Sequence, residues 1–112
     1  MEIKRIAVAG LGLIGGSLIK ALRRTNPSFE IIGVDRDKAN LALAQNDGTI
    51  DQAFETIEEA VPDSQVIFLC TPVQNIPGLL TTLAGVVQPG TIITDVGSTK
   101  MNIMKEADRI LP

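Results

Sequence analysis

Hydrophobic residues fall into short continuous runs along the chain, and the segments between these runs carry apolar residues at helical spacing. Continuous apolar runs are typical of parallel strands covered on both faces, and a spacing of three to four residues is typical of helices that bury one face. The predicted strands are approximately Ile3–Ala9, Glu30–Val34, Ile50–Phe54, Val66–Cys70 and Thr91–Val96. The first predicted helix covers Leu13–Arg24, and the second runs from a cap at Asp37 to Asn46-Asp47-Gly48. A short third helix is opened by a capping box at Thr56 and ended by Pro62. The fourth carries Val73, Ile76, Leu80 and Leu83 with Pro77 in its first turn, and the fifth covers about Thr99–Ile110.

This alternation of strands and helices predicts an α/β fold. The connections are long enough for crossovers between parallel strands. Right-handed crossovers give a Rossmann-type doubly wound parallel sheet with strand order 3-2-1-4-5, built as a single domain over residues 1–112. Ligands of such sheets bind beyond the carboxyl ends of the strands. We therefore expect Gly10, Asp35, Thr71 and Ser98, which each end or follow a predicted strand, to converge on one rim.

The turn after the first strand carries a G-x-G-x-x-G string that leads directly into a helix. In that setting the string is the fingerprint of a dinucleotide-binding site. Gly10 permits the sharp turn, Gly12 lets backbone approach a pyrophosphate, and Gly15 lets the helix pack closely on the strand. The free N–H groups and the dipole of the helix N-terminus favour the negative charge of the pyrophosphate. The predicted cofactor contacts in this turn are Gly10, Leu11, Gly12, Leu13, Ile14 and Gly15.

An acid closes the second predicted strand. Asp35 lies twenty residues after Gly15, where the fingerprint places a carboxylate that accepts hydrogen bonds from the ribose hydroxyls. Its alternative role is to begin the cap of the second helix. The carboxylate favours NAD over NADP, because a 2′-phosphate would meet a like charge. The neighbouring Arg36 is a candidate for stacking on adenine, for tolerating a 2′-phosphate, or for a solvated surface position.

Three further positions are ambiguous. Thr71-Pro72-Val73 follows the fourth strand, which neighbours the first, so it is either a cofactor contact or a strand terminator. Cys70 fits a small buried apolar group better than a nucleophile, because no base accompanies it. Ser98 precedes the last predicted helix, where by itself a serine is more often an N-cap.

Composition excludes several classes of protein. With 45% apolar residues the chain is not a disordered segment. A formal net charge of −3 with scattered charges gives no basic patch for nucleic acid. We find no signal peptide and no membrane-length apolar run, and a single cysteine indicates a reducing, cytoplasmic setting. No metal site is expected.

Four strings taken together resemble the N-terminal domain of the prephenate dehydrogenases, a family that includes the arogenate dehydrogenases. The resemblance covers nearly the whole chain and is carried by Ile6-Ala7-Val8-Ala9-Gly10-Leu11-Gly12-Leu13-Ile14-Gly15-Gly16-Ser17-Leu18, Ile32-Gly33-Val34-Asp35, Cys70-Thr71-Pro72-Val73 and Thr94-Asp95-Val96-Gly97-Ser98-Thr99-Lys100. It implies NAD-dependent oxidative decarboxylation of prephenate to 4-hydroxyphenylpyruvate in tyrosine biosynthesis. It also implies that Ser98 is catalytic, bonding near the substrate hydroxyl and nicotinamide, which reverses the preference for a cap.

The chain departs from that family in one respect, because it contains no histidine. The family's catalytic histidine, its substrate-binding cations and its helical dimerisation domain would follow Pro112. We therefore expect a cofactor domain that binds NAD, is inactive alone, and belongs to a homodimer when whole. The alternatives are an arogenate dehydrogenase, another two-domain NAD(P) dehydrogenase, or a stand-alone NAD-sensing module.

Overall fold

The fold is a parallel sheet with helices on both faces. A computed structural model describes residues 3–62, 64–70, 76–88 and 90–95. Within these residues the sheet has five strands in the order β3-β2-β1-β4-β5, and every neighbouring pair is parallel. The strand order predicted from the sequence is therefore confirmed. The elements are β1 (Arg5–Ala9), α1 (Leu13–Thr25), β2 (Glu30–Val34), α2 (Lys38–Asn46), β3 (Gln52–Phe54), α3 (Ile57–Ala60), β4 (Val66–Leu69), α4 (Ile76–Ala84) and β5 (Ile92–Asp95).

The core is divided by the sheet into two clusters. Successive strand residues point to opposite faces, so Ile6 and Val8 of β1 join one cluster, whereas Ala7 and Ala9 join the other. The first cluster is closed by α1 and the second by α3 and α4. Because both faces are covered, every residue of β4 is buried, which explains why its sequence is apolar throughout rather than alternating.

The termini of α2 are fixed by local hydrogen bonds. The Asp37 carboxylate accepts a 2.9 Å hydrogen bond from the backbone N–H of Ala39, which confirms the predicted N-cap. At the other end Gly48 has φ +70°, and the N–H groups of Gly48 and Thr49 donate to the carbonyls of Gln45 and Ala44. This is a Schellman motif, in which a glycine occupies the left-handed position. The helix therefore starts and stops where the sequence indicates.

The strands β1 and β3 begin later than predicted, where side chains take the place of backbone partners. The N–H of Lys4 donates to the Gln65 side chain at 2.6 Å, and β1 begins only at Arg5. The N–H of Ile31 donates to the carboxylate of Asp51 at 2.8 Å, and β3 begins at the next residue. Both differences lie at strand starts, away from the carboxyl edge of the sheet. In addition, β5 begins one residue later than predicted, at Ile92, and β4 ends one residue earlier, at Leu69.

The helix α3 differs from its prediction in the geometry of its cap. Thr56 is the N-cap residue, but its side chain makes no hydrogen bond to the helix backbone. Its hydroxyl donates instead to the Glu59 carboxylate at 2.7 Å. The sequence pair expected for a capping box is thus joined side chain to side chain, and the reciprocal backbone bonds of that motif are not formed.

Several predictions fall outside the described residues. They concern Thr71, Pro72, Val73, Ser98 and the fifth predicted helix, Thr99–Ile110. Pro77 does lie in the first turn of α4, as predicted. In the part of the chain that the structure describes, each helix is too short or too polar to cross a bilayer.

Candidate functional site

The glycine-rich turn begins where β1 ends. Gly10 has φ +94°, a left-handed conformation that favours glycine. Its N–H donates to the carbonyl of Val34 at 2.7 Å, which extends the pairing of β1 with β2 by one residue. The chain then turns away from the sheet and enters α1 after only Leu11 and Gly12. The predicted role of the first glycine is confirmed.

The third glycine of the motif sets how closely α1 approaches this turn. A Cβ added to Gly15 would lie 1.8 Å from the carbonyl oxygen of Gly10 and 3.5 Å from the Cβ of Cys70. Because 1.8 Å is far shorter than a van der Waals contact, no residue with a Cβ fits here unless the helix and the loop move apart. The glycine therefore permits the contact between helix and strand end that the sequence predicted.

The second glycine is exposed at the start of α1. Gly12 is the N-cap residue, and it has no side chain with which to bond the first free N–H groups. A Cβ added to it would meet no atom of the described residues within 4 Å. The first turn of α1 also carries no acidic residue. Packing among the described residues therefore does not require a glycine here, and the first N–H groups of α1 lie beside open space, the setting in which helix N-termini bind anions.

The Asp35 carboxylate points toward the glycine-rich turn. Oδ2 accepts hydrogen bonds from the backbone N–H of Leu11 at 2.8 Å and from the Asn40 side chain at 3.1 Å. Oδ1 accepts a hydrogen bond from the N–H of Asp37 at 2.9 Å. The acid at the end of β2 and the turn at the end of β1 therefore form one hydrogen-bonded unit, as the dinucleotide-binding interpretation requires.

These groups line a cleft of about 730 Å³ at the carboxyl edge of the sheet. Gly10, Gly12, Asp35, Arg36 and Cys70 contribute to its walls. Its size lies within the range of pockets that hold small molecules and cofactors. The expectation that Gly10 and Asp35 share one rim is confirmed.

Charged side chains gather on the α3 side of the cleft. Glu55 and Glu58 line the cleft together with Asp35, and Arg36 is an exposed cation on its wall. Glu55 also lies 3.6 Å from the ammonium group of Lys38, in an ion pair open to solvent. Carboxylates thus outnumber cations at this end of the cleft, an arrangement that disfavours an additional phosphate group there.

The remaining predicted contacts differ in position. The Leu11 side chain is buried in the core and its backbone N–H donates to the Asp35 carboxylate, so both groups contribute to the structure of the loop. Leu13 and Ile14 form the first turn of α1, where their backbone N–H groups are directed toward the helix end. Cys70 is half-buried against the core and also borders the cleft, in keeping with the small packed group predicted from the sequence.

Several residues that line the cleft were not predicted from the sequence, and one of them, Asn40, is bonded directly to the acid. Asn40 lies in the first turn of α2, lines the cleft and donates to Asp35. The sequence could have indicated Asn40 only by its position, five residues after Asp35 and in the first turn of a helix that Asp37 caps. An asparagine at such a position resembles any solvated helix residue until the rotation of α2 about its axis is known.

A family model and a curated relative match this chain. The model described as prephenate dehydrogenase, nucleotide-binding domain, matches residues 18–112. A prephenate dehydrogenase of Bacillus subtilis is 36% identical over 108 residues, which cover 96% of this chain and 29% of that protein. The chain thus spans less than a third of the length of this relative.

Solved structures share the fold. The arogenate dehydrogenase of Synechocystis superimposes with a TM-score of 0.76 at 37% identity, covering 94% of this chain and 37% of that one. A prephenate dehydrogenase from A. aeolicus, solved with hydroxyphenyl propionate and NAD+, gives a TM-score of 0.80 at 24% identity, covering 99% of this chain and 39% of that one. The second likeness is evidence of the fold alone.

Proposed function

The chain belongs to the prephenate dehydrogenase family through its nucleotide-binding domain, and we propose that it is the NAD-binding part of an enzyme that oxidatively decarboxylates prephenate. The observation that carries the proposal is the hydrogen-bonded unit of Asp35 and the glycine-rich turn, which lies at the rim where α1 begins. A dinucleotide needs both a carboxylate for its ribose and free N–H groups for its pyrophosphate.

The residues of the cleft fit such a cofactor. Gly12 leaves open space beside the first N–H groups of α1, which would hold the pyrophosphate. Asp35 keeps acceptor capacity for a ribose hydroxyl, and its charge, with that of Glu58, favours NAD over NADP. Arg36 lines the same end of the cleft, where its guanidinium would cover the adenine.

When bound, NAD+ supplies the acceptor for the hydride that leaves the hydroxyl-bearing carbon of prephenate. The part of the chain described by the structure binds and orients that cofactor. By family resemblance Ser98 contacts the nicotinamide end and the substrate hydroxyl. Thr71-Pro72-Val73 is proposed as a cofactor contact because it follows β4, which neighbours β1. We also propose that the whole enzyme is cytoplasmic and functions as a homodimer.

Binding of NAD+ to residues 1–112, measured by calorimetry, is the direct test. Gly12→Val should abolish binding by placing a side chain in the path of the pyrophosphate. The control is Gly16→Ala, because a Cβ added at that position of α1 meets no described atom within 4 Å. Binding that survives Gly12→Val unchanged would refute the position assigned to the pyrophosphate.

The ribose role of Asp35 has a separate test. Asp35→Ala should weaken NAD+ by about 10- to 100-fold, since hydrogen bonds to a charged group contribute about 1.5–3 kcal/mol. The same change should weaken NADP+ far less, because a like charge is removed as well. Asp47→Ala removes an exposed carboxylate from the far end of α2 and is the matched control. Equal losses for both nucleotides would show that Asp35 does not contact the ribose.

Activity is tested with prephenate and arogenate as alternative substrates. Arogenate is the second candidate substrate because the chain is 37% identical to an arogenate dehydrogenase. Residues 1–112 contain no imidazole to act as a base, so we expect NAD+ binding without formation of NADH from either substrate. If the whole protein binds NAD+ tightly but forms no NADH from either substrate, a nucleotide sensor would be favoured instead.

A further inference from the structure

The Asp35 carboxylate is already engaged by three protein donors before any ligand binds. Oδ2 accepts from the backbone N–H of Leu11 and from the Asn40 amide, and Oδ1 accepts from the N–H of Asp37. A carboxylate offers about four acceptor positions, two on each oxygen. Among the described residues, these bonds fill both positions on Oδ2 and one position on Oδ1. The carboxylate is therefore left with room for one further donor.

The ribose of an adenine nucleotide presents two neighbouring hydroxyls as donors. One of them can bond to the free position on Asp35 Oδ1. The other would have to displace Leu11 or Asn40 from Oδ2, which would leave a backbone or amide donor without its partner at a cost of about 1–3 kcal/mol. A second acceptor beside the carboxylate removes that cost.

Asn40 supplies such an acceptor. Its side-chain nitrogen lies 3.1 Å from Asp35 Oδ2, and its side chain lines the cleft. An amide that donates through its nitrogen still has its oxygen available as an acceptor. In the described part of the chain no donor is bonded to that oxygen. The amide nitrogen and oxygen share one plane, so the oxygen is held beside the carboxylate that orients the amide.

The backbone of Asn40 is also fixed. It lies in the first turn of α2, where Asp37 caps the helix through the N–H of Ala39. In the same turn Leu41 is buried in the core, which sets the rotation of the helix. The amide is therefore placed by the fold and does not depend on a flexible loop.

We propose that Asn40 accepts a hydrogen bond from one hydroxyl of the adenosine ribose, while Asp35 accepts from the other. This inference rests on the proposed NAD-binding function. It identifies Asn40 as a ligand of the cofactor in addition to its role in orienting Asp35.

The test compares NAD+ with its two analogues that lack either the 2′- or the 3′-hydroxyl of the adenosine ribose. Binding to residues 1–112 is measured by calorimetry, for the parent chain and for Asn40→Ala. In the parent, removal of the hydroxyl that bonds the Asn40 amide should weaken binding by about three- to tenfold, and removal of the hydroxyl that bonds the Asp35 carboxylate by about 10- to 100-fold, because a hydrogen bond to a charged group contributes more. In Asn40→Ala, NAD+ should bind about three- to tenfold more weakly. One deoxy analogue should then bind as well as NAD+ does, whereas the other should keep its full penalty.

The remaining outcomes overturn the inference in distinguishable ways. If both analogues keep their penalties in Asn40→Ala, and also in Asn40→Leu, whose larger apolar side chain covers the position on Asp35 Oδ2 that the amide vacates, the amide does not contact the ribose. If both penalties disappear, Asn40 acts only by orienting Asp35. If the parent chain binds no NAD+, the proposed function fails first and the inference fails with it. Alanine is a better helix former than asparagine, so Asn40→Ala should stay folded, and Asn46→Ala, an exposed change on the same helix, should leave all three affinities unchanged.

Discussion

Two adjacent glycines of α1 should respond in opposite directions to the same substitution. Gly15 and Gly16 are both helical, and in a helix alanine is favoured over glycine by about 1 kcal/mol. A Cβ at Gly16 meets no described atom within 4 Å, whereas a Cβ at Gly15 would lie 1.8 Å from the carbonyl oxygen of Gly10. Gly16→Ala should therefore stabilise the chain, and Gly15→Ala should destabilise it.

The size of the second effect follows from the geometry. Ordinary contact begins at 3.4 Å, so the helix and the loop must separate by about 1.6 Å at this point. The obstacle is a backbone carbonyl, which cannot rotate away as a side chain could. Overpacking of this kind costs about 3 kcal/mol at the upper end of its usual range. After the gain of about 1 kcal/mol from helix propensity, the net loss is about 2 kcal/mol.

Thermal unfolding followed by circular dichroism would measure both variants. For a chain of this size 1 kcal/mol corresponds to a shift of about 4 °C in Tm. We expect Gly15→Ala to lower Tm by about 8 °C and Gly16→Ala to raise it by about 4 °C. Equal shifts of the same sign would refute the close approach of α1 to the glycine-rich turn.

Three further predictions concern the fold that supports the site. Asp37→Ala should cost about 1 kcal/mol in urea unfolding, because the N–H of Ala39 loses its cap. Gly48→Ala should cost about 1–2 kcal/mol, because φ is +70° at that residue and alanine is strained there. Phe68→Ala, at a fully buried residue of β4, should cost about 3–5 kcal/mol, whereas Leu43→Ala, at a side chain that is 63% exposed, should stay within about 0.5 kcal/mol. A loss of similar size at Leu43 would contradict the orientation of α2.

The central strands and the glycine-rich turn could be predicted because the evidence for them is local, and the strand order then follows from right-handed crossovers. β1 and β4 are apolar runs because both faces of the sheet are covered there, whereas β3 is exposed or half-buried and has no such pattern. The rotation of α2 could not be obtained in the same way. Leu41 and Leu43 both appear as apolar members of that helix in sequence, yet Leu41 is 7% exposed and Leu43 is 63% exposed. A short helix against the outer strands buries only part of an apolar face.

The donors to Asp35 could not be predicted for a related reason. The position of the acid follows from a spacing in sequence, but its partners come from two other elements. Leu11 belongs to the turn after β1 and Asn40 to α2. Their meeting depends on the pairing of β1 with β2 and on the crossing of α2 over the sheet edge. A spacing between residues in the sequence does not predict either the strand pairing or the position of α2 over the sheet.

The bond between Leu11 and Asp35 also explains how a carboxylate can lie beside the site that we propose for the pyrophosphate. Asp35 accepts from an N–H that precedes α1, so the free N–H groups of the helix itself are not used. The negative charge of the acid therefore stabilises the turn, and the positive end of the helix dipole stays available to an anion. Because the turn and the acid are joined before a ligand arrives, binding does not have to order either of them. The conformational cost of association is then lower than for a loop ordered by its ligand, and a ligand must match both ends of one preformed unit.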